Sequence, residues 1–422
     1  MKKVAFVRSI EVQQAAPYLA AIGPLLSQHG IEARLFYTDG CCCPREFPGS
    51  CEKLPPDATV DIVANALLEW GASGAISLSI PDENSIRDAQ VKHRLAQSGI
   101  PMIAHDPHTT YLFANKWETK RTVARFGLLT APGFLLDGDL VNGRALQVRA
   151  YADYVAQQCA ELGYPVLTKP LWDCLGNGIR FLHNEADLVA FLRSPYNGNC
   201  VVEKFIDGEL CSVEIIGRGD QLVFQPLIWK GRTRPSPSFP FTQVRDSIPR
   251  PDAELHFVPT ANKLRRMCAE LSVCGALEVE MVYADGHYHI IEINPRVSGS
   301  TSLSIASSGF NTFEALVRLL LADWTETCAA RPAYQTMGAM QFPFISEGAE
   351  HEDGSIQVVR SSVFNINGEK YANAILSFPL TEMGSLMSWI RCRYEISPEV
   401  AETLADLLPD DRIRIRRAMR CT

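Results

Sequence analysis

The chain has 422 residues, 46% of them hydrophobic and 21% charged, with a formal net charge of −8. At about 150 residues per domain this allows about three globular units, and the composition is that of a folded enzyme rather than a disordered chain. The acidic balance and the lack of any run near 18 apolar residues argue against nucleic-acid coating and membrane spanning. The apolar stretch over 4–7 is too short for a signal-peptide core of about 7–15 residues, so it reads as a first strand and the location as cytoplasmic. The 13 cysteines are odd in number and scattered, which reads as reduced thiols. Cys41, Cys42, Cys43 and Cys51 lack the paired ligand spacing of a zinc site and read as part of a solvent-side loop.

In chain order, the first hundred residues alternate strand and helix. Strands are expected over 4–7, 31–37, 74–79 and 101–104, and helical periodicity over 17–29, 58–70 and 84–98. Such βα alternation implies a parallel sheet with ligands beyond its carboxyl ends, here near Arg8, Ser9 and Ser79. The proline- and glycine-containing stretch 40–56 is expected to be irregular. Next come a helix over 115–126 stopped by Gly127, a strand over 165–169, a loop through Gly178, a strand over 179–182 and a helix over 185–192. Three strands follow over 200–205, 210–217 and 221–228, then a proline-rich loop with Arg232, Arg234 and Arg245. A helix over 259–271 leads into a hairpin of 275–284 and 287–293, and a helix spans 313–321. The last ninety residues carry strands over 339–344, 358–365 and 372–378 and a helix over 398–408.

The hairpin is the most informative stretch. A two-residue turn at Asp285-Gly286 would put Glu280 and Glu292 on opposite faces. A three-residue loop of Ala284, Asp285 and Gly286 pairs even residues with even ones. Leu277, Val279, Met281, Ile291 and Ile293 then form one apolar face. Glu278, Glu280, Glu292 and Asn294 share the other, with Glu292 opposite Glu278. Clustered carboxylates repel, and hard oxygen donors of this kind suit Mg²⁺ held together with substrate phosphates. The competing reading is a strand whose glutamates are simply hydrated. Arg296, just beyond, favours the metal–phosphate reading because a guanidinium grips carboxylate or phosphate through paired hydrogen bonds.

Glu280, Glu292, Asn294 and Arg296, within Ile-Glu-Ile-Asn-Pro-Arg-Val-Ser-Gly-Ser, closely resemble the metal and acyl-phosphate motif of the ATP-grasp superfamily. Three further segments resemble that superfamily in its order. They are Asn115-Lys116 with Lys120 and Gly127; Gly163 to Lys169-Pro170 with Gly176-Asn177-Gly178; and Val202-Glu203-Lys204-Phe205-Ile206-Asp207-Gly208-Glu209. The likeness covers about residues 1–325. Within the superfamily the chain looks most like carboxylate–amine (L-amino-acid) ligases, with motif similarity to biotin carboxylase and carbamoyl-phosphate synthetase.

The resemblance implies an α/β protein with the ATP-grasp fold: an N-terminal Rossmann-like βα domain (1–105), a catalytic core (106–328) and a C-terminal extension (329–422). It implies ATP and Mg²⁺ as cofactors, with Mn²⁺ able to substitute. Lys116 and Lys169 would converge on the phosphates, with Gly176 and Gly178 in the phosphate flap beside Asp173, Cys174, Leu175 and Asn177. Glu203, Lys204, Ile206 and Glu209 would hold base and ribose. Glu280, Glu292 and Asn294 would ligate the metal, with Glu278 open as a further member. Arg296 would bind the carboxylate being activated. The implied reaction joins a small-molecule carboxylate to an amine through an acyl phosphate, releasing ADP and phosphate. A thiol nucleophile, a bicarbonate-activating enzyme and a non-catalytic nucleotide-binding module are the alternatives. No nucleic-acid or membrane partner is expected, and a homodimer is compatible with the reading. The loop over 230–250 is a candidate for substrate closure, or simply solvated.

Overall fold

Strands β1 (Lys2–Arg8), β2 (Ile31–Tyr37), β3 (Ser50–Lys53), β4 (Gly74–Ser77) and β5 (Met102–Ile103) form a parallel sheet in the order β3-β2-β1-β4-β5. The computed structural model describes residues 2–9, 15–42, 45–144, 148, 150–172, 176, 178–194, 197–236, 242–325, 335–348, 354–366 and 368–408. Cys43, residues 173–175, Asn177 and the expected boundary at 328 therefore lie outside the described residues. Helices α1 (Val60–Trp70) and α2 (Asp82–Ala96) connect the strands. Thr59 caps α1, its side chain accepting from the Ile62 N–H. The expected irregular stretch 40–56 contains β3, whose Ser-Cys-Glu-Lys sequence carries no apolar alternation because it is a largely exposed edge strand. Running β3 alongside β2 also brings Cys51 back to Cys42, and the two are joined as a disulfide, against the expectation of reduced thiols. The periodicity over 17–29 becomes turns and a short helix, Gly23–Gln28.

Helices α3 (Pro107–Ala114) and α4 (Lys116–Arg125) follow, and the Asn115 side chain caps α4 by accepting from Trp117 and Glu118 N–H groups. Gly127, at φ 71°, ends it as expected. Strands β6 (Leu129–Thr130), β7 (Gly133–Leu136), β8 (Val166–Pro170), β9 (Arg180–Leu182) and β10 (Cys200–Lys204) come next, with helices α5 (Ala150–Leu162) and α6 (Glu185–Arg193) between them. The antiparallel sheet β7-β10-β8-β9 buries Leu136, Val166, Leu182 and Val202 against Val155 of α5 and Leu188 of α6.

A larger sheet takes β11 (Glu209–Arg218), β12 (Gln221–Phe224), β13 (Ile228–Arg232), β14 (Arg245–Asp246), β15 (Cys274–Ala284), β16 (His287–Asn294), β17 (Met337–Pro343), β19 (Gln357–Ile366) and β20 (Glu369–Pro379); β18 (Ser346–Glu347) pairs elsewhere, with Tyr394–Glu395. The order is β19-β20-β17-β14-β13-β11-β15-β16-β6, so the C-terminal strands continue the sheet that carries the glutamates. The strand expected over 221–228 is two, because Pro226 interrupts it. Helix α7 (Pro251–Glu270) starts eight residues before the expected 259. Pro251 is its N1 residue, and Pro259 sits inside the helix on its exposed side, beside Leu255 at 70% exposure, where water can serve the carbonyl that Pro259 leaves free. Helix α8 (Thr301–Ser308) was not expected, since five of its eight residues are Ser or Thr. It forms because Leu303 and Ala306 pack on Ile228, Ala339 and Ile375 of the sheet. Helix α9 (Thr312–Leu321), close to the expected span, packs Phe313, Leu316 and Val317 against Ile103 and Ile216.

Candidate active site

Tyr283 pairs with Tyr288 and Ala284 with His287, so the hairpin turn is the two-residue Asp285-Gly286, both at positive φ (50° and 77°). This overturns the three-residue loop. Glu280 and Glu292 nevertheless share a face, because a β-bulge after Glu280 adds one residue to β16 and restores the parity. Glu280 lies directly opposite Glu292, and Asn294 opposite Glu278. Ile290, paired with Met281, takes the core position expected of Ile291.

Lys230, on β13, sets the electrostatics of this face. Its Nζ donates to Glu278 Oε1 and Glu280 Oε1, both at 2.9 Å. Lys116 Nζ stands 3.4 Å from Glu292 Oε1. Glu278 is 3% exposed at its side chain, whereas Glu280 keeps 27% and Glu292 25%, so only the latter two are open to an arriving cation. Burial alone would raise the Glu278 carboxyl, but the Lys230 ammonium overcomes it and holds the group down at about 2. Glu280 goes the other way. Its burial, and the charges of Glu278 and Glu292, outweigh its share of Lys230 and push it up. The three carboxylates share Lys230, Lys116 and the charge of Arg245. Among the described residues no three acidic, imidazole or thiol groups already converge as a metal cage, and the gap between Glu278 and Glu280 is held by Lys230. The two open donors, Glu280 and Glu292, are carboxylate oxygens facing each other, which fits a hard divalent cation.

Arg296 follows the hairpin. Its Nη2 donates to Asn294 Oδ1 at 3.0 Å and its Nε to Asp82 Oδ1 at 2.6 Å, which brings the first residue of α2 into the site from the N-terminal sheet. Ser298 and Ser300 are held in a tight loop, the Ser298 N–H donating to Thr301 Oγ1 at 3.0 Å and the Ser300 N–H to Ser298 Oγ at 3.1 Å. Behind that loop Thr301 and Thr312 hydroxyls donate to the two oxygens of buried Glu214 at 2.8 and 3.0 Å. Burial lifts the Glu214 carboxyl to about 7 despite those two bonds, with the Glu278 charge adding to the rise. A carboxyl raised on folding favours the folded state below its unfolded value, and this contribution is lost as pH climbs through about 7. Glu214→Gln is therefore expected to remove a loss of stability that the natural protein suffers between about pH 4.5 and pH 7, read by urea unfolding across that range; parallel curves for the two proteins would refute it.

The two expected nucleotide lysines pair with different carboxylates. Lys169 Nζ lies 2.5 Å from Glu203 Oε1, and it is Lys120 that joins it, 2.9 Å from Glu203 Oε2. Lys116 turns instead to Glu292. Gly133 lies opposite Glu203 in β7, where an added Cβ would come within 2.8 Å of the Glu203 Cβ, so only glycine allows that approach. Lys204 is exposed, and its N–H donates to the Pro132 carbonyl; the Ile206 carbonyl accepts from Thr233 Oγ1 at 2.9 Å. Glu209 is ion-paired with Arg250, which also reaches Asp246 and lies 4.1 Å over the Trp229 ring. Gly176, at φ 72°, and Gly178 are the described residues of the flap loop. In the arginine-rich stretch, Arg245 belongs to β14 and faces Glu280 and Glu278 rather than a free loop. Sequence reading gave Asp82 and Glu214 no role, and placed Lys230 and Arg245 in a loop rather than on strands beside the glutamates. Lys230 carried a usable signal: like Lys169, it is a lysine inside an apolar strand, Ile228-Trp229-Lys230.

Residues 113–300 match the model of the ATP-grasp domain family. This segment is an ATP-grasp domain. It holds the glutamate hairpin, both lysine-bearing elements and Arg296. ATP-grasp enzymes use ATP and Mg²⁺. The arginine-specific carbamoyl phosphate synthase large chain of Geobacillus stearothermophilus is 23% identical over 203 residues, 46% of this chain and 19% of that protein. The chain thus spans about a fifth of the length of that curated relative. Over nearly the whole chain the fold is similar to an L-amino acid ligase from Bacillus licheniformis, at TM-score 0.65 and 17% identity, covering 94% of this chain and 98% of that one. It is also similar to the biotin carboxylase domain of a Hydrogenobacter thermophilus 2-oxoglutarate carboxylase, crystallised with MgADP and bicarbonate, at TM-score 0.66 and 16% identity, covering 96% and 93%. The ATP-grasp domain therefore sits in a mixed α/β chain whose whole length follows the architecture of such proteins. No described helix is long and apolar enough to cross a membrane.

Proposed function

We propose that the protein is an ATP-dependent ligase that activates a carboxylate as an acyl phosphate and couples it to an amine, an amino acid in the first instance, releasing ADP and phosphate. The observation that carries the reading is the Glu280–Glu292 pair, opposed across the hairpin and open to solvent, with Lys116 on one side and Arg296 on the other. Glu280 and Glu292, assisted by Asn294, would hold Mg²⁺, which when bound neutralises charge on the transferring phosphoryl group. Glu278, enclosed by Lys230, would stay outside the metal's reach. Lys116, Lys120 and Lys169 would supply fixed positive charge along the phosphates, with Gly176 and Gly178 giving backbone N–H groups in the flap. Glu203 would serve mainly to hold Lys120 and Lys169 in place, while the 203–209 strand end, including Lys204, Ile206 and Glu209, borders the base and ribose. Arg296 would hold the carboxylate through charge-assisted bonds, relayed by Asn294.

This division of labour suits the expected units: a βα domain over 1–105, a catalytic core over 106–328 and a C-terminal subdomain over 329–422. A cytoplasmic enzyme, alone or as a homodimer, fits the use of ATP. The likeness to carbamoyl phosphate synthase keeps bicarbonate as a second carboxylate candidate. The test is an ADP-release screen of the full chain with Mg²⁺-ATP against pairs of amino acids, small carboxylates with amines, and bicarbonate alone. ADP formed only when a carboxylate and an amine are both present supports the ligase; stimulation by bicarbonate without an amine would replace it.

A further inference from the structure

In the parallel sheet β3-β2-β1-β4-β5 the winding reverses between β1 and β4, and the crevice beyond the carboxyl ends of those two strands is where such sheets bind ligands. Arg8, the last residue of β1, stands at that crevice and is only 3% exposed. Its Nη2 donates to the Cys41 carbonyl at 2.5 Å, and its guanidinium lies over the Tyr37 ring, 5.4 Å from the centroid. Its buried Nε has no acceptor, and no carboxylate pairs with it among the described residues. Arginine stays charged even when buried, so such a site is costly until an anion completes it. Arg296 is enclosed in a similar way but has Asp82 as its counter-charge.

The crevice adjoins the acyl-transfer site. Ser9, next to Arg8, accepts from the Ile80 N–H at 2.9 Å, and two residues further on Asp82 holds Arg296. A short molecule with its anionic end on Arg8 would therefore have its other end beside Asp82 and Arg296. Asp82 takes the Arg296 bond on Oδ1, and its other carboxylate oxygen can accept a hydrogen bond from an amine at that end.

We propose that Arg8 anchors the carboxylate of the amine-donating substrate, which makes that substrate a free amino acid rather than a simple amine. The inference rests on the ligase reading of the same site, so the test measures binding apart from turnover. The full chain, with Mg²⁺ and a non-hydrolysable ATP analogue, is titrated calorimetrically with each proteinogenic amino acid and with its carboxamide, which keeps the amine and removes the negative charge. At least one acid should bind, and its carboxamide should bind at least tenfold more weakly. Arg8→Gln should weaken the acid at least tenfold, leave the carboxamide unchanged and leave nucleotide affinity as it was. Arg8→Lys keeps the charge and should weaken the acid less, and the acid-versus-carboxamide comparison needs no variant at all. The assignment falls if acid and carboxamide bind alike, if Arg8→Gln binds the acid as well as the natural protein, or if no amino acid binds. Arg8-dependent binding in a protein that forms no ADP with any carboxylate would keep this assignment and sink the ligase reading instead.

Discussion

Glu292→Ala is expected to lower ADP formation by roughly 100- to 1,000-fold while leaving the thermal midpoint nearly unchanged. The activity loss follows if Glu292 and Glu280 are the open pair that receives Mg²⁺. The small change in stability has a different origin. Removing Glu292 takes the partner from Lys116 but also relieves repulsion on Glu280, and these effects oppose each other. Glu280→Ala should behave alike, because Lys230 keeps Glu278. Glu278→Ala should instead lower the melting temperature, since that carboxylate is enclosed and gives Lys230 its less exposed partner. Melting curves and ADP release on the three variants would separate the roles. Full activity in both Glu280→Ala and Glu292→Ala would remove the hairpin from the mechanism.

The largest expected effect on folding belongs to Glu203. Both its oxygens are taken, by Lys169 at 2.5 Å and Lys120 at 2.9 Å, and the carboxylate is 4% exposed. Breaking one partner of a buried pair costs about 3–5 kcal/mol, because the charges left behind have neither water nor a counter-ion. Glu203→Gln keeps the shape and strands two lysines, so urea unfolding at pH 7 should show a loss of that order. Burial would raise the Glu203 carboxyl, yet Lys169 and then Lys120 hold it below its ordinary value. The stability it supplies is thus complete above the unfolded value of about 4.3 and is lost as pH falls through the lower folded value. The gap between natural protein and variant should close as the solution is acidified past that range. A gap that stays constant to low pH would mean that shape rather than charge was lost.

Much of this site was legible in the sequence because its residues lie close together in the chain and their types are chemically specific. Glu280, Glu292, Asn294 and Arg296 fall on one hairpin and its exit, and alternation brings them to one face. The route to that face was misread. A two-residue turn gives the opposite parity, and the bulge that corrects it is one extra residue in an apolar run, Ile290-Ile291, which local pattern cannot place. Partners from distant elements were harder still. Lys230 reaches the glutamates only because β13 lies one strand beyond β11, which pairs with β15, and Asp82 reaches Arg296 from the start of α2, a helix of the N-terminal βα region. Lys116 and Lys120 are one helical turn apart, so both face the same side of α4, and periodicity alone cannot say which meets Glu203. Helix α8 escaped notice for an energetic reason: its serines disfavour helix, and burial of Leu303, Ile305 and Ala306 outweighs them.

On the proposed reading, lysines, flap glycines and paired glutamates would all address the terminal phosphates of ATP. This is tested most directly by following oxygen. A carboxylate substrate labelled with ¹⁸O in both carboxyl oxygens is turned over with Mg²⁺-ATP and its amine partner, and the phosphorus products are analysed by mass. The expected products are ADP and inorganic phosphate in equal amounts, with one ¹⁸O in each phosphate, because the carboxylate oxygen becomes the bridge of the acyl phosphate and leaves with phosphorus. AMP and pyrophosphate as products, with the label in AMP, would contradict the proposed reading.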